Sequence, residues 1–213
     1  MGVISVMPAT AHPHDLLRLT GATGATALDG TLPDWAAASL AACPWGVVRR
    51  APHPPGFIPV GVRGPERWQR HAVLVPAGVV TRSVSPEELR KRRPRLSPLT
   101  AALSAVALRL AAELEGDVAW GPVGSVGFEL ATGAPVTHPG SDLDLLIRTP
   151  RGLERTRAAR LAAAFAALPI AVDCQLETPS GGVALAEWAR PDGPVMARTD
   201  HGPRLVNDPW APA

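Results

Sequence analysis

Two aspartates interrupt an apolar run in which the chain reads DLDLLI from residue 142 to residue 147. A run of this length and composition predicts a buried β-strand. Because alternate residues of a strand lie on the same face, Asp142 and Asp144 share one face. The opposite face is apolar and consists of Leu143, Leu145 and Ile147. The sequence therefore predicts a core strand that carries two carboxylates at its first end.

Placing two carboxylates on one face of a strand is unfavourable. They lie ~7 Å apart, and their repulsion is roughly 2 kcal/mol at an effective dielectric of ~20. A divalent cation would relieve this repulsion, and hard oxygen ligands suit Mg²⁺ or Mn²⁺. The alternative is an exposed strand end at which the pair is solvated or faces an arginine, and a D-x-D pattern by itself does not decide between the two.

A third aspartate lies in a second strand-like segment, which reads IAVDCQL from residue 170 to residue 176. Its alternation is that of a half-buried strand and places Asp173 on the polar face with Gln175 and Glu177. If the two strands are neighbours, Asp142, Asp144 and Asp173 converge at one edge of the sheet. We predict that these three aspartates are catalytic and bind the metal ion.

A glycine-serine pair, Gly124-Ser125, lies upstream of both segments and predicts a tight turn. Its amides and the Ser125 hydroxyl could hold phosphate oxygens, so we predict that both residues bind substrate. The spacing fits neither a G-x-x-x-x-G-K-[ST] phosphate loop nor a G-x-G-x-x-G dinucleotide motif. A hydrolase elbow is excluded because Val123 stands where G-x-S-x-G requires glycine.

Composition excludes several classes of protein. The chain has 213 residues, 46% hydrophobic and 19% charged, which is typical of a folded protein of one or two domains. A net charge of +2 is too small to indicate a nucleic-acid partner. No apolar run approaches the ~20 residues of a membrane span, and no signal peptide is recognisable. Cys43 and Cys174 lack C-x-x-C spacing, which favours reduced thiols and a cytoplasmic location.

Residues 1–92 are predicted to form a small α+β domain. Its expected helix and strands lie at residues 34–42, 47–50, 57–63 and 72–75. Arginines are dense here, and Arg63 and Arg67 flank the Gly64-Pro65 turn, where a glycine allows a ligand to approach closely. We predict that Arg63 and Arg67 bind substrate phosphates. The alternative is that they are ordinary surface arginines.

Residues 93–213 are predicted to form a second domain, a mixed sheet packed by helices. A capping box at residues 85–88 predicts a helix start just before the boundary. Within the domain, Ser97-Pro98 opens a long helix that Gly116 ends, and two further helices and a closing loop or hairpin are expected at residues 152–168, 184–190 and 193–206. The overall class is therefore α+β.

The exact amino-acid sequence around the aspartate pair is more specific than the spacing of its charged and apolar residues. GPVGSVGFELATG, followed by SDLDLLIR, closely resembles the phosphoribosyl-dephospho-CoA transferase family of malonate decarboxylase, also called malonate decarboxylase holo-acyl-carrier-protein synthase. The resemblance continues through VVRRAP, IPVGVRGPERWQR, VDCQLETPSGGVALAEWA and RTDHGPRLV, and so extends from about Trp45 to Pro209. The order Gly-Ser, D-x-D and later Asp is also similar to that of the nucleotidyltransferase superfamily, which includes DNA polymerase β.

The resemblance implies a reaction. The donor would be 2′-(5″-triphosphoribosyl)-3′-dephospho-CoA, and the acceptor a serine of the apo acyl carrier subunit of malonate decarboxylase, with release of pyrophosphate. In the family the D-x-D pair, here Asp142 and Asp144, is catalytic and Mg²⁺ is required. Asp173 is carried over from the wider superfamily. The chemistry would be metal-assisted nucleotidyl transfer with two cations ~4 Å apart.

Two other functions remain open from the sequence. One is an ATP-using nucleotidyltransferase with a different acceptor, and the other is a non-catalytic binding protein on the same scaffold. The binding protein would be expected to lack one of the three carboxylates, and all three are present. Glu129, which matches the family wording, could orient a metal ligand or cap a turn.

Overall fold

The computed structural model describes residues 11–21, 26–27, 31–66, 68–114 and 118–211. The chain divides into two compact units, Met1–Ser85 and Pro86–Ala213. Each unit combines a six-stranded sheet with helices, which confirms the predicted α+β class. The division lies between Ser85 and Pro86, whereas the sequence placed the domain boundary after residue 92.

The N-terminal unit is an antiparallel sheet with one α-helix against it. Its strands are β1 (Leu16–Leu19), β2 (Thr26–Ala27), β3 (Trp45–Val48), β4 (Phe57–Arg63), β5 (Arg70–Pro76) and β6 (Val80–Val84). They lie in the order β2-β5-β4-β3-β1-β6. Helix α1 (Asp34–Ala42) has the predicted bounds and packs on β4, where it buries Ala36 and Leu40. A short 3-10 helix (Ala77–Val79) leads into β6.

The C-terminal unit is a mixed sheet with helices on both faces. Its strands are β7 (Trp120–Pro122), β8 (Leu143–Arg148), β9 (Val172–Thr178), β10 (Gly181–Ala184), β11 (Val195–Thr199) and β12 (Gly202–Val206). Neighbouring strands follow chain order from β7 to β12, and β8 and β9 run parallel while the other neighbours run antiparallel. Its helices are α2 (Pro86–Leu89), α3 (Ser97–Glu113), α4 (Gly124–Thr132), α5 (Arg155–Ala166) and α6 (Leu185–Trp188).

One face of this sheet, the core face, packs against α3, α5 and α6. It carries the residues that alternate with the aspartates, and Leu143, Leu145 and Ile147 are 0%, 1% and 0% exposed. Full burial of one such side chain contributes about 1.5–3 kcal/mol. Helix α3 contributes the apolar stripe that its spacing predicts, Leu99, Leu103, Val106 and Leu110.

The opposite face, the aspartate face, carries Asp144 and Asp173. Helices α2 and α4 pack over its β7–β8 part, where Gly121 lies against the carbonyl of Pro86. Leu146, which points to this side, is fully buried. The β9–β12 part of the aspartate face is exposed, beginning with Asp173. A bilayer span would require a longer apolar helix than any found in the described residues.

Candidate active site

The parallel pairing of β8 and β9 places two of the predicted aspartates side by side. Asp144 is the register partner of Asp173, and register partners of adjacent strands point to the same side of a sheet. The predicted adjacency of the two strands is therefore confirmed. Asp142 immediately precedes β8 and is half-buried, as is Asp144, whereas Asp173 is exposed. The structure thus forms an acidic edge at the start of the parallel pair.

Gly124 lies directly against the carboxylate of Asp144. A Cβ atom built on Gly124 would be 2.7 Å from Cγ and 2.9 Å from Cβ of Asp144, and closer still to Oδ2. Gly124 also has a φ of 60°, which an L-residue rarely adopts. The amide of Val123 donates a hydrogen bond to the carbonyl of Asp144 over 2.9 Å. Glycine is therefore required here by both backbone conformation and space.

The Gly124-Ser125 pair is not the isolated tight turn that the sequence predicts. It is the first turn of α4, a helix of nine residues that ends at Gly133 in a left-handed conformation. The first amides of a helix have no partner within it and carry the positive end of its dipole, so this end favours an anion. Half-buried Ser125 lies in the same turn. A phosphate group near Asp144 would meet both features.

Glu129 connects α4 to the loop that leads to the acidic edge. It is 6% exposed, and its Oε2 accepts hydrogen bonds from the amide and hydroxyl of Thr137, over 3.0 and 2.7 Å. Arg95 completes the cluster: its amide donates to Glu129 Oε1 over 3.4 Å, its Nε lies 3.8 Å from Oε2, and its Nη2 donates to the carbonyl of Thr137 over 2.7 Å.

This cluster decides between the roles that the sequence left open for Glu129. Its carboxylate fixes Thr137, five residues before Asp142 on the same loop, and it contacts the loop rather than a metal ligand. Burial opposes ionisation of Glu129, but the hydrogen bonds from Thr137 and Arg95 outweigh burial and lower the pKa. Glu129 is therefore a charged anchor for the loop. The residue pairs lie up to 42 positions apart, so local sequence pattern could not have found them.

His138 and Cys174 have no catalytic geometry. The ring Nδ1 of His138 accepts a hydrogen bond from the amide of Gly140 over 3.2 Å and so closes the turn before Asp142. Cys174 is buried on the core face of β9, and its burial, together with the charge of Asp173, raises the pKa of its thiol. The buried thiol of Cys174 is therefore not an available nucleophile.

The predicted metal ligands have suitable chemistry but are not a formed cage. Carboxylate oxygens are the donors that Mg²⁺ and Mn²⁺ prefer. Among the residues that the structure describes, no three Asp, Glu, His or Cys side chains form a group that could hold a metal ion. The sheet register brings Asp144 and Asp173 together, and Asp142 is the residue that precedes β8. Metal binding by these three residues stays a prediction.

The predicted substrate arginines belong to the N-terminal unit. Arg63 is the last residue of β4 and is half-buried, while Arg67 lies outside the described residues. The space beside Gly64 is filled by the protein itself, because a Cβ there would be 2.6 Å from Cβ of Gln69 and 2.7 Å from Cε3 of Trp35. This glycine therefore gives no room for a ligand, and that reason for choosing Arg63 was wrong. Substrate binding by Arg63 and Arg67 stays a prediction.

The fold and the site together define an α+β protein that sets two carboxylates of a parallel strand pair beside a helix start. Comparison with protein families gives two matches. Residues 12–86 match the Phosphoribosyl-dephospho-CoA transferase MdcG N-terminal domain, and residues 88–209 match the Phosphoribosyl-dephospho-CoA transferase MdcG C-terminal domain. The chain therefore belongs to the phosphoribosyl-dephospho-CoA transferase family, and it is a transferase enzyme.

Curated relatives match over nearly their whole length. The phosphoribosyl-dephospho-CoA transferase of Azotobacter vinelandii is 46% identical over 93% of this chain and 94% of its own. That of Pseudomonas putida is 46% identical over 94% and 95%. That of Klebsiella pneumoniae is 43% identical over 96% and 98%. No solved structure gives a significant match.

Proposed function

We propose that this enzyme transfers the phosphoribosyl-dephospho-CoA group from 2′-(5″-triphosphoribosyl)-3′-dephospho-CoA to a serine of the apo acyl carrier subunit of malonate decarboxylase. Family membership and the name that the curated relatives carry support the nature of the transferred group. The observation that carries the proposal is the contact of Gly124 with Asp144, because it brings the start of α4, a helix end that favours anions, beside the acidic edge.

The proposed reaction breaks a phosphoanhydride bond of the donor and forms a phosphate ester bond to the serine. The serine oxygen of the acceptor forms a bond to the phosphorus nearest the ribose, and the bond from that phosphorus to the next bridging oxygen breaks. Pyrophosphate leaves, and the hydroxyl proton of the serine is lost. The first-turn amides of α4 and the Ser125 hydroxyl would hold oxygens of the triphosphate. Gly124, without a side chain, allows the carboxylate of Asp144 to lie directly against the start of α4.

Asp142, Asp144 and Asp173 are the residues that would hold Mg²⁺ or Mn²⁺. A bound cation would lower the pKa of the attacking hydroxyl and stabilise the charge of the departing pyrophosphate. Glu129 keeps the loop before Asp142 in place through Thr137. Arg63 and Arg67 remain candidates for neutralising the triphosphate. We propose a cytoplasmic location, which agrees with the finding that neither Cys43 nor Cys174 forms a disulfide in the part of the chain that the structure describes.

The test is intact-mass spectrometry of the apo carrier subunit after incubation with the enzyme, Mg²⁺ and the triphosphoribosyl donor. We expect the mass of the carrier to rise by one phosphoribosyl-dephospho-CoA group, with one pyrophosphate released for each carrier modified. A parallel reaction with ATP in place of the donor separates this function from an ATP-using nucleotidyltransferase. An unchanged carrier with the proposed donor would refute the proposal, and an adenylylated carrier with ATP would favour the alternative.

A further inference from the structure

The β9–β12 part of the aspartate face is partly exposed to solvent, and we call it the open surface. Following the strand register from Asp144 outwards, this face carries Asp173, Gln175, Arg198, Met196 and Leu205. Asp173 and Arg198 are exposed, Met196 is 37% exposed and Leu205 is 61% exposed. The core face of the same strands is buried against helices. A molecule that approaches the acidic edge along the sheet must therefore lie on this open surface.

The far end of the open surface carries an apolar pair. Met196 of β11 and Leu205 of β12 are register partners, so their side chains lie side by side. Four large apolar side chains of the described residues are exposed, and of the other two, Trp68 lies between β4 and β5 and Leu108 lies on α3. Exposed apolar residues on an edge strand favour association and are usually avoided. Such a pair on the face that bears the reacting carboxylates indicates a contact surface.

A fixed cation lies between the acidic edge and the apolar pair. The Nη1 atom of Arg198 donates a hydrogen bond to Oε1 of Gln175 over 2.9 Å. Gln175 can lie across the sheet because its neighbour is Gly182, where a Cβ would come within 2.7 Å of Cδ of Gln175. The glycine thus makes room for the glutamine, which orients the arginine. Glu177 lies on the same face, because Gly182 is the register partner of both Glu177 and Arg198. The surface therefore offers a partner the exposed guanidinium of Arg198, beside the half-buried Glu177, and one apolar contact.

The extent of this surface, which reaches from β9 to β12, fits a protein better than a small molecule. Small ligands bind in concave sites, whereas protein interfaces are flatter and rich in Met and Arg. A standard interface covers ~800 Å² of each partner, a disc of ~16 Å radius. Strand β12 lies three strand spacings from β9, which is ~14 Å. A protein seated with its serine at Asp173 would therefore also cover Met196 and Leu205.

We propose that the open part of the aspartate face is the docking surface for the acceptor protein of the transfer reaction. This inference rests on the proposed function. The acceptor places an apolar side chain on Met196 and Leu205 and an acidic side chain beside Arg198, and this seating presents its serine hydroxyl to Asp144 and Asp173. The carrier subunit is chosen as occupant because the surface is continuous with the edge that its serine must reach.

The test compares charge substitutions on and off the surface. Leu205→Glu and Met196→Glu change the apolar pair, and the control Leu108→Glu changes a leucine that is 74% exposed on α3. Steady-state transfer is measured with the apo carrier and the triphosphoribosyl donor varied separately. Binding of the apo carrier is measured by titration calorimetry. We expect the surface variants to raise KM for the carrier and weaken carrier binding at least tenfold, with KM for the donor and kcat at saturating carrier unchanged.

A second comparison tests the charge. Arg198→Glu should raise KM for the carrier severalfold, whereas Arg204→Glu should not, because Arg204 pairs with Ala197 and so belongs to the core-face side of β12. Thermal unfolding confirms that all variants are folded. If Leu205→Glu behaves like Leu108→Glu, or if KM for the donor rises instead, the docking surface is refuted while the transfer reaction stands. If wild-type enzyme leaves the carrier unmodified, the proposed function itself is refuted, and with it the docking surface.

Discussion

Replacing Gly124 by alanine tests the contact on which the candidate site is built. A Cβ atom would lie 2.7 Å from Cγ of Asp144, about 0.7 Å short of ordinary contact at 3.4 Å, so the carboxylate would have to move. A misplacement near ~1 Å in a reacting site can lower turnover ~100-fold. The φ of 60° at Gly124 adds a conformational cost of about 1–2 kcal/mol. We therefore expect Gly124→Ala to lose kcat by a factor of ~100 and to be mildly destabilised.

Gly133→Ala is the matched control at the other end of the same helix. Gly133 has a φ of 78°, but nothing lies within 4 Å of the Cβ it would acquire. Urea unfolding should therefore show a similar loss of stability, about 1–2 kcal/mol, for both variants. Transfer to the apo carrier, followed by intact mass, should fall steeply in Gly124→Ala alone. Wild-type turnover in Gly124→Ala, or an equal loss in Gly133→Ala, would refute the role assigned to the contact.

Three further outcomes follow from the geometry. Glu129→Gln should lower the free energy of unfolding by about 1–3 kcal/mol. Because folding lowers the pKa of Glu129, the difference from wild type should be complete above pH 4.5, the ordinary pKa, and should disappear as the pH falls through the folded-state pKa. A difference in urea unfolding that does not change with pH would contradict this assignment. Iodoacetamide should label Cys43 but not the buried Cys174 in folded enzyme, and labelling of both thiols before unfolding would contradict the assigned burial. Asp173→Asn should abolish transfer while Glu177→Gln, four residues along the same face of β9, should retain it, and equal activity of the two variants would remove Asp173 from the site.

Alternation of apolar and polar residues was sufficient to predict the strands that carry the aspartates. The pattern around Asp144 and Asp173 gave the strand faces correctly, because one face of each strand must enter the core. The bounds of α1 were also confirmed. Adjacency of β8 and β9 was an assumption at that stage, since pairing depends on contacts between segments that are distant in the chain.

The sequence predicted a tight turn at Gly124-Ser125, whereas glycines in this segment also serve close packing. Gly121 lies against the carbonyl of Pro86, and Gly124 lies against Asp144. A Cβ atom added to Gly127 would lie 2.7 Å from the carbonyl oxygen of Pro122. These close approaches allow α4 to lie against β8, so the segment is a helix start and not an isolated turn. Close packing at a glycine also explains why the boundary between the units lies before α2 and not after residue 92. Helix α2 packs against Gly121 of β7 and so belongs to the C-terminal unit.

The most direct measurement is transfer by Asp144→Asn, compared with wild-type enzyme across a Mg²⁺ titration. Asparagine keeps the shape of Asp144 and removes the charge that the acidic edge shares with Asp173. Intact-mass spectrometry of the apo carrier should show Mg²⁺-dependent modification by wild-type enzyme and none by the variant, while calorimetry shows that the variant still binds the carrier. Modification of the carrier by Asp144→Asn at the wild-type rate would contradict the assignment of this edge as the reacting site.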